Sequence, residues 1–335
     1  MTYQMNPNEP KRLSLANLPT PFARLKHTSE WLGREFWIKR DDMTGTVLSG
    51  NKIRKLEYLL AEAKSKECDV LITAGGEQSN HARATAIAGA QLGFKSHLLL
   101  RTDNPKRPPA LEGNLLLNTW VGAKIEWLSK KDWPKRNEKL EEIAEKYEGQ
   151  GLKPYVIPVG GSNPLGTWGY VRAVYELDTD FKRELKDKKL SLVYACGSGG
   201  TGAGLLIGAK HLGWDHVNIT GVNVCDDRAY FEKEITTICN DFEKEWPEFK
   251  SPEKSSIDLL DGYVGRGYGL TTPDETATIR ELAQRDGIFL DTTYTGKAYF
   301  GLVSEIAKNP DRFSKHIVFL HTGGVFGLFT NKAVV

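Results

Sequence analysis

Two stretches of this chain repeat one pattern: a short apolar run ends in glycines and reopens as an amphipathic segment. "DVLITAGG" (69–76) leads into "EQSNHARATAIAGAQLG" (77–93) and then "KSHLLL" (95–100). "LSLVYACGSGG" (190–200) leads into "TGAGLLIGAKHLG" (201–213) and then "NITGVNVC" (218–225). Strand, glycine turn, helix and strand at this spacing predict βαβ units, hence an α/β fold with mostly parallel sheets covered on both faces. The glycine-rich "PVGGSNPLGTWGY" (158–170) separates two such regions and reads as a domain junction. We therefore expect a smaller α/β domain over 53–160, with 1–52 and 161–335 together forming a larger one.

A chain of 335 residues has ample length for cores of this kind. Its 45 basic and 43 acidic residues leave a formal charge of +2, so no electrostatic footprint for nucleic acid or an anionic membrane is expected. The charged stretches 129–149 and 177–189 mix both signs at helical spacing and read as solvated helix faces. Cys68, Cys196, Cys225 and Cys239 are scattered, without metal-ligand spacing. They read as reduced thiols, and no metal site is expected. No apolar run approaches the roughly 18–20 residues that span a bilayer, and the N-terminal segment lacks a signal-peptide core. The expected compartment is the cytoplasm.

Four features carry chemistry. "GSGGTG" (197–202) opens a helix after a strand, where backbone N–H groups and the helix N-terminus suit a phosphate. Gly197, Gly199, Gly200 and Gly202 shape that loop, and Ser198 and Thr201 add hydroxyls. It also matches G-x-G-x-x-G, which keeps a nicotinamide oxidoreductase open, with Asp226 or Asp227 as the ribose acid. "GGEQSNHAR" (75–83) places Gln78, Ser79, Asn80 and His81 at a strand end, either in the ligand crevice or capping the next helix. Tyr268 and Tyr294 flank glycines near the C-terminal end, and "IVFLHTGG" (317–324) presents Thr322 after a strand. "SGNKIRKLEYLL" (49–60) puts Lys52 at a helix start, where the dipole disfavours a cation and suits a neutral amine. In that segment Asn51 reads as a cap, and Arg54 and Lys55 as partly solvated charge. One ligand uses all of these: pyridoxal 5'-phosphate, with an aldehyde for lysine, a phosphate for the glycine loop and a ring for polar groups.

"IKRDDMTGTVLSGNKIRKLEYLL", "TAGGEQSNHAR", "PYVIPVGGSNPLGTWGY", "GYGL" and "TYTGKA…HTGG" together resemble the pyridoxal-phosphate enzymes comprising D-cysteine desulfhydrase and 1-aminocyclopropane-1-carboxylate (ACC) deaminase. The resemblance runs from about residue 12 to the C-terminus. It implies the tryptophan-synthase β-like fold (type II): two three-layer α/β domains, the larger binding the cofactor, with the site in the cleft between them. By motif, Lys52 is the lysine that joins the cofactor's aldehyde. Asn80 contacts the phenolate oxygen, residues 197–202 hold the phosphate, and Thr322 faces the ring nitrogen. Ser79 lies at the substrate carboxylate, with Gln78, His81, Gly161 and Thr295 also implied on the substrate side. Tyr268 and Tyr294 match the family's two active-site tyrosines.

Within the family, ACC deaminases carry Glu after the second tyrosine, Leu at the position of Thr322, and Q-S-N-Q where this chain reads Gln78-Ser79-Asn80-His81. The departures at Thr295, Thr322 and His81 favour the desulfhydrase side. The resemblance thus implies β-elimination from a β-substituted amino acid: D-cysteine to pyruvate, ammonia and hydrogen sulfide, with Lys52 as base and either tyrosine as proton donor. ACC ring opening to 2-oxobutyrate and L-cysteate cleavage are the alternatives within the family. A nicotinamide oxidoreductase and a non-catalytic pyridoxal-phosphate-binding protein are those of other classes. The resemblance also implies a homodimer.

Overall fold

The computed structural model describes residues 8–186 and 188–330. Residues 1–7 and 331–335 of the expected larger domain, and Asp187, lie outside the described residues. Ten strands occur among the described residues. They are β1 (Phe22–Arg24), β2 (Glu35–Lys39), β3 (Val70–Gly76), β4 (Lys95–Thr102), β5 (Lys124–Ser129) and β6 (Pro154–Ile157), then β7 (Leu190–Cys196), β8 (Val217–Asn223), β9 (Asp258–Leu260) and β10 (His316–Leu320). They form a six-stranded sheet, β1-β2-β10-β7-β8-β9, and a four-stranded sheet, β5-β4-β3-β6. Every pairing is parallel except β1 with β2. The expected βαβ units are present: β3, the helix Asn80–Leu92 and β4 in the small sheet, and β7, the helix Gly200–His211 and β8 in the large one.

Parallel strands covered on both faces must be apolar throughout rather than alternating. Accordingly β3 and β7 are buried at every residue. The helix Asn51–Ser65 lays Ile53, Leu56, Leu59 and Leu60 among Leu71, Ala84 and Ile157 of the small sheet's layer. The 158–170 segment is a short 3-10 turn, Val159–Gly161, followed directly by the long helix Pro164–Glu184.

In open α/β sheets ligands sit beyond the carboxyl ends of the strands. Here the chain leaves β2 for the Lys52 helix, β3 for Ser79 and Asn80, β7 for the glycine loop and β10 for Thr322. Close approach between these ends needs glycine. At Gly50, with φ +109°, a Cβ would lie 2.8 Å from the Thr322 carbonyl oxygen. At Gly76 it would lie 2.6 Å from the Tyr268 ring.

Candidate active site

A cleft is lined by Lys52, Asn80, Thr322, Tyr294 and, from the glycine loop, Gly197, Ser198, Gly199, Thr201 and Gly202. Thus Lys52, Asn80, Thr322, Tyr294 and the loop, distant in sequence, share one cavity. Tyr268 joins them from the adjoining mouth, which it lines with Gln78, Arg101 and Cys225. Its Oη lies 2.5 Å from that of Tyr294.

The Lys52 helix starts where two strands hold it. Asn51 N–H donates to the Thr322 carbonyl (3.0 Å), and Asn51 Nδ2 donates to Thr201 Oγ1 (3.1 Å). Asn51 therefore does not cap its own helix; the N-cap is Gly50, and the Asn51 amide reaches across to the glycine loop. Burial lowers the Lys52 amine from 10.5 to about 8, against opposing pulls from Cys225 and Cys196.

Arg54 and Lys55 correct the sequence reading, because neither is solvated. Arg54 is buried in an ion-pair network, donating to Asp41 Oδ1 at 2.7 Å and to Glu176 Oε2 at 2.9 Å. Lys39, also buried, completes the network with Glu176 (2.6 Å) and Asp180 (2.7 Å). Lys55 faces the glycine loop. Its Nζ donates to the Gly160 carbonyl and to Ser162 Oγ, both at 3.3 Å, and a Cβ on Gly200 would lie 2.8 Å from it. Burial holds the Lys55 amine well below its ordinary value, reinforced by the positive Lys52. Ser162 Oγ donates on to Ser198 Oγ at 3.0 Å. A helix N-terminus, hydroxyls and a buried amine converging on one space form an anion cradle. Helical spacing was the signal for Lys55, three residues after Lys52 and so on the same face.

Asn80 is fixed by a residue the sequence reading missed: Asn114 Nδ2 donates to Asn80 Oδ1 at 3.0 Å. Gln78 bonds the same segment, donating to the Glu112 carbonyl and accepting from Asn114 N–H. Ser79 caps the helix Asn80–Leu92, its Oγ accepting from Ala82 N–H at 3.1 Å. His81 is buried beneath the site: its Nε2 is 3.0 Å from Thr73 Oγ1, and it packs near Gly161. Thr295 is buried against Asp291, to which its Oγ1 donates at 2.6 Å. His81, Gly161 and Thr295 are not among the cleft-lining residues. Asp291, also missed, accepts from the N–H groups of Thr293, Tyr294 and Thr295 and so fixes the backbone that carries Tyr294.

Both tyrosines are half-buried, and burial keeps them protonated. Tyr268 is pushed up to about 12, partly offset by Tyr294 and the nearby Arg101 guanidinium, and Tyr294 is pushed well above its ordinary value. At neutral pH the pair can donate a proton and is poorly suited to accept one.

A two-sheet parallel α/β fold whose strand ends surround a low-pKa amine and an anion cradle defines an enzyme built around a phosphate-bearing cofactor. The chain belongs to the pyridoxal-phosphate dependent enzyme family, whose model matches residues 13–323. It is 42% identical over 322 residues to a mitochondrial bifunctional D-cysteine desulfhydrase/1-aminocyclopropane-1-carboxylate deaminase of Arabidopsis thaliana, covering 94% of this chain and 79% of that one. It is 41% identical over 322 residues to a putative 1-aminocyclopropane-1-carboxylate deaminase of Thermotoga maritima, covering 96% and 98%. The crystal structure of an ACC deaminase homologue superposes with a TM-score of 0.88 at 38% identity, covering 97% of each chain. A fungal L-serine ammonia-lyase from Rhizomucor miehei shares the fold alone: TM-score 0.64, 15% identity, 93% and 95% covered. The architecture is fold type II of the pyridoxal-phosphate enzymes, as expected. The residues present fit that cofactor: a cradle that a Cβ on Gly200 would fill suits a phosphate, and an amine of lowered pKa suits an aldehyde.

Proposed function

We propose that this enzyme is a lyase acting on a β-substituted amino acid, with D-cysteine as substrate and pyruvate, ammonia and hydrogen sulfide as products. The observation that carries this reading is the convergence of Lys52, Thr322 and the Tyr268–Tyr294 pair on one cleft and its mouth. When bound, the cofactor supplies an electron sink for negative charge developing at the substrate Cα. Lys52 would hold its aldehyde, Asn80 its phenolate oxygen, and the 197–202 loop with Lys55 its phosphate. The free Lys52 amine would take the Cα proton; an amine at about 8 is ready to do so near neutral pH. Tyr294 or Tyr268 gives a proton to the departing thiolate as the C–S bond breaks. The remaining three-carbon enamine takes up water to give pyruvate and ammonia. Ser79, Asn80 and Gln78 form the substrate-carboxylate side, with His81, Gly161 and Thr295 supporting it from beneath.

Thr322 is what favours elimination over ring opening. Of the three positions that depart from the ACC deaminase pattern, it alone lines the cleft. A threonine hydroxyl at the ring nitrogen, rather than a carboxylate, would leave that nitrogen largely unprotonated and the electron sink weaker. Expelling a thiolate needs less of a sink than opening a cyclopropane. ACC deamination is the second reading, supported by relatives whose names carry that activity. A panel of D-cysteine, L-cysteine, L-cysteate, β-chloro-D-alanine and ACC, read as pyruvate against 2-oxobutyrate, decides. Turnover of ACC alone would overturn the first reading.

The expected domain division, 1–52 with 161–335 against 53–160, belongs to this proposal. It is supported by the partition of strands, with β3–β6 in one sheet and the others in the second. So do the homodimer and the cytoplasmic location. Sedimentation velocity and cell fractionation test them, the latter because the plant relative is mitochondrial. Among the described residues no helix is long and apolar enough to cross a membrane.

A further inference from the structure

Lys297 lies three residues beyond Tyr294, on the helix Thr295–Lys308, and its side chain is completely buried. Among the described residues no carboxylate pairs with its ammonium at hydrogen-bond distance. It donates instead to two backbone carbonyls, Val264 at 2.5 Å and Gly267 at 2.6 Å. Both belong to the loop that carries Tyr268. That loop is irregular, with positive φ at Gly265, Gly267 and Gly269, and its own backbone bonds around Tyr268 are long: 3.3 Å from Gly267 N–H to Val264 and 3.2 Å from Leu270 N–H to Gly267. These two carbonyls are therefore gathered chiefly by one buried amine, through two short hydrogen bonds. The same residue is rooted in the helix that begins directly after Tyr294, whose N–H donates to Asp291.

We propose that Lys297 is a positioning residue for the tyrosine pair, clamping the Tyr268 loop to the Tyr294 helix so that the two hydroxyls meet at 2.5 Å. The proposal rests on the reading that this pair serves as proton donor. A buried cation could also serve stability alone, so the test has to separate the two. Other contacts set where the Tyr268 ring lies: Gly76 beneath it and the Arg101 guanidinium 4.9 Å above it. Lys297 instead governs the backbone on either side of the ring. Losing it should displace the hydroxyl without emptying the cofactor cradle, which none of these atoms reaches.

The experiment is a double-mutant cycle in the holoenzyme with Lys297→Met and Tyr268→Phe. It is read as kcat and KM on whichever panel substrate is turned over, with the visible cofactor absorbance as a check on loading. Lys297→Met should lower kcat by about 30-fold with KM changed less than about three-fold. The double variant should be no slower than Tyr268→Phe, since a residue acting through another adds nothing once that other is gone. Losses that multiply, or a wild-type kcat in Lys297→Met, would overturn the clamp. Wild-type kcat in both Tyr268→Phe and Tyr294→Phe would instead sink the proton-donor reading. Amide hydrogen exchange over 264–270 then decides the clamp by itself: faster exchange confined to that loop supports it, and unchanged exchange overturns it. If Lys297→Met does not fold, Lys297→Gln, which keeps N–H donors at shorter reach, carries the same measurements.

Discussion

Two sets of basic side chains meet at the helix Asn51–Ser65, and they are treated in opposite ways. On one side Arg54 and Lys39 are saturated by Asp41, Glu176 and Asp180, with Thr20 and Tyr170 closing the remaining bonds. On the other side Lys52 and Lys55, close neighbours of Arg54 in the chain, face glycines, hydroxyls and a carbonyl. A buried charge must be paired or give up its proton. The first set is paired with carboxylates; the second is left short of anions, and its amines lose proton affinity. Such a deficit is what a site for an anionic, amine-seeking cofactor requires. The paired set holds the helix start to β2 and to the helix Pro164–Glu184, so that the unpaired set points into the cleft.

The hardest break of the comparison is Lys52→Ala. The unpaired side then loses its reacting group, and turnover should fall by at least about 10³-fold while the fold persists. Absorption spectra with added pyridoxal phosphate, alongside circular dichroism, measure both. A variant with more than a few per cent of wild-type activity would place the chemistry elsewhere.

Breaking the paired side should damage stability rather than chemistry. Burial alone would raise the Glu176 carboxyl, but Arg54 and Lys39 outweigh it and hold the group at about 2. Glu176→Gln takes one carboxylate from each buried cation, leaving Arg54 with Asp41 and Lys39 with Asp180, and should cost about 3 kcal/mol in denaturant unfolding. The sign with pH follows from linkage. A carboxylate with a depressed native pKa contributes stability that is present above its unfolded value of 4.5 and lost as pH falls toward about 2. The wild type should therefore lose this contribution across that window, and the variant should show a shallower slope there.

Much of this contrast could not be read from the sequence. The glycine turns and apolar strands were legible because periodicity and glycine are local signals, and β3, β7 and β8 lie where those signals put them. β1 and β2 gave none: three and five residues of mixed polarity, of which β2 joins the sheet through β10 and β1 only through β2. Lys52, Asn80, Thr322 and the glycine loop were legible through motif and strand-end position. Asn114 was not, since it acts by meeting a segment far away in the chain; Asp291 acts locally on 293–295 but sits in no motif, and for Lys55 the sequence offers only its helical spacing from Lys52, not its meeting with Ser162. Arg54 and Lys55 looked solvated because charge in a sequence carries no record of burial.

A gentler probe of the unpaired side is Lys55→Met, which keeps the aliphatic stem and removes the amine. If Lys55 helps hold the phosphate, the loss of one charge-assisted bond should weaken cofactor binding by about 10- to 100-fold. The measurement is equilibrium titration of the apoprotein. Turnover at saturating cofactor should change far less. Unchanged affinity would move Lys55 to the structural side of the comparison.

The smallest effect is the most diagnostic of the deficit itself. Capture of an aldehyde requires a neutral amine, and burial places Lys52 at about 8 rather than 10.5. The rate at which apoprotein acquires cofactor absorbance should then rise about five-fold from pH 7 to pH 8 and less than about two-fold more above that. An amine at its ordinary value would instead gain about ten-fold per pH unit through pH 9. The sign is fixed by the cause, because desolvation disfavours the ammonium and moves the inflection down. Stopped-flow mixing across pH 6.5–9.5 reads it directly. An inflection near 10 would mean that Lys52 is as well solvated as an ordinary surface lysine, and the electrostatic distinction between the two sides of the helix would disappear.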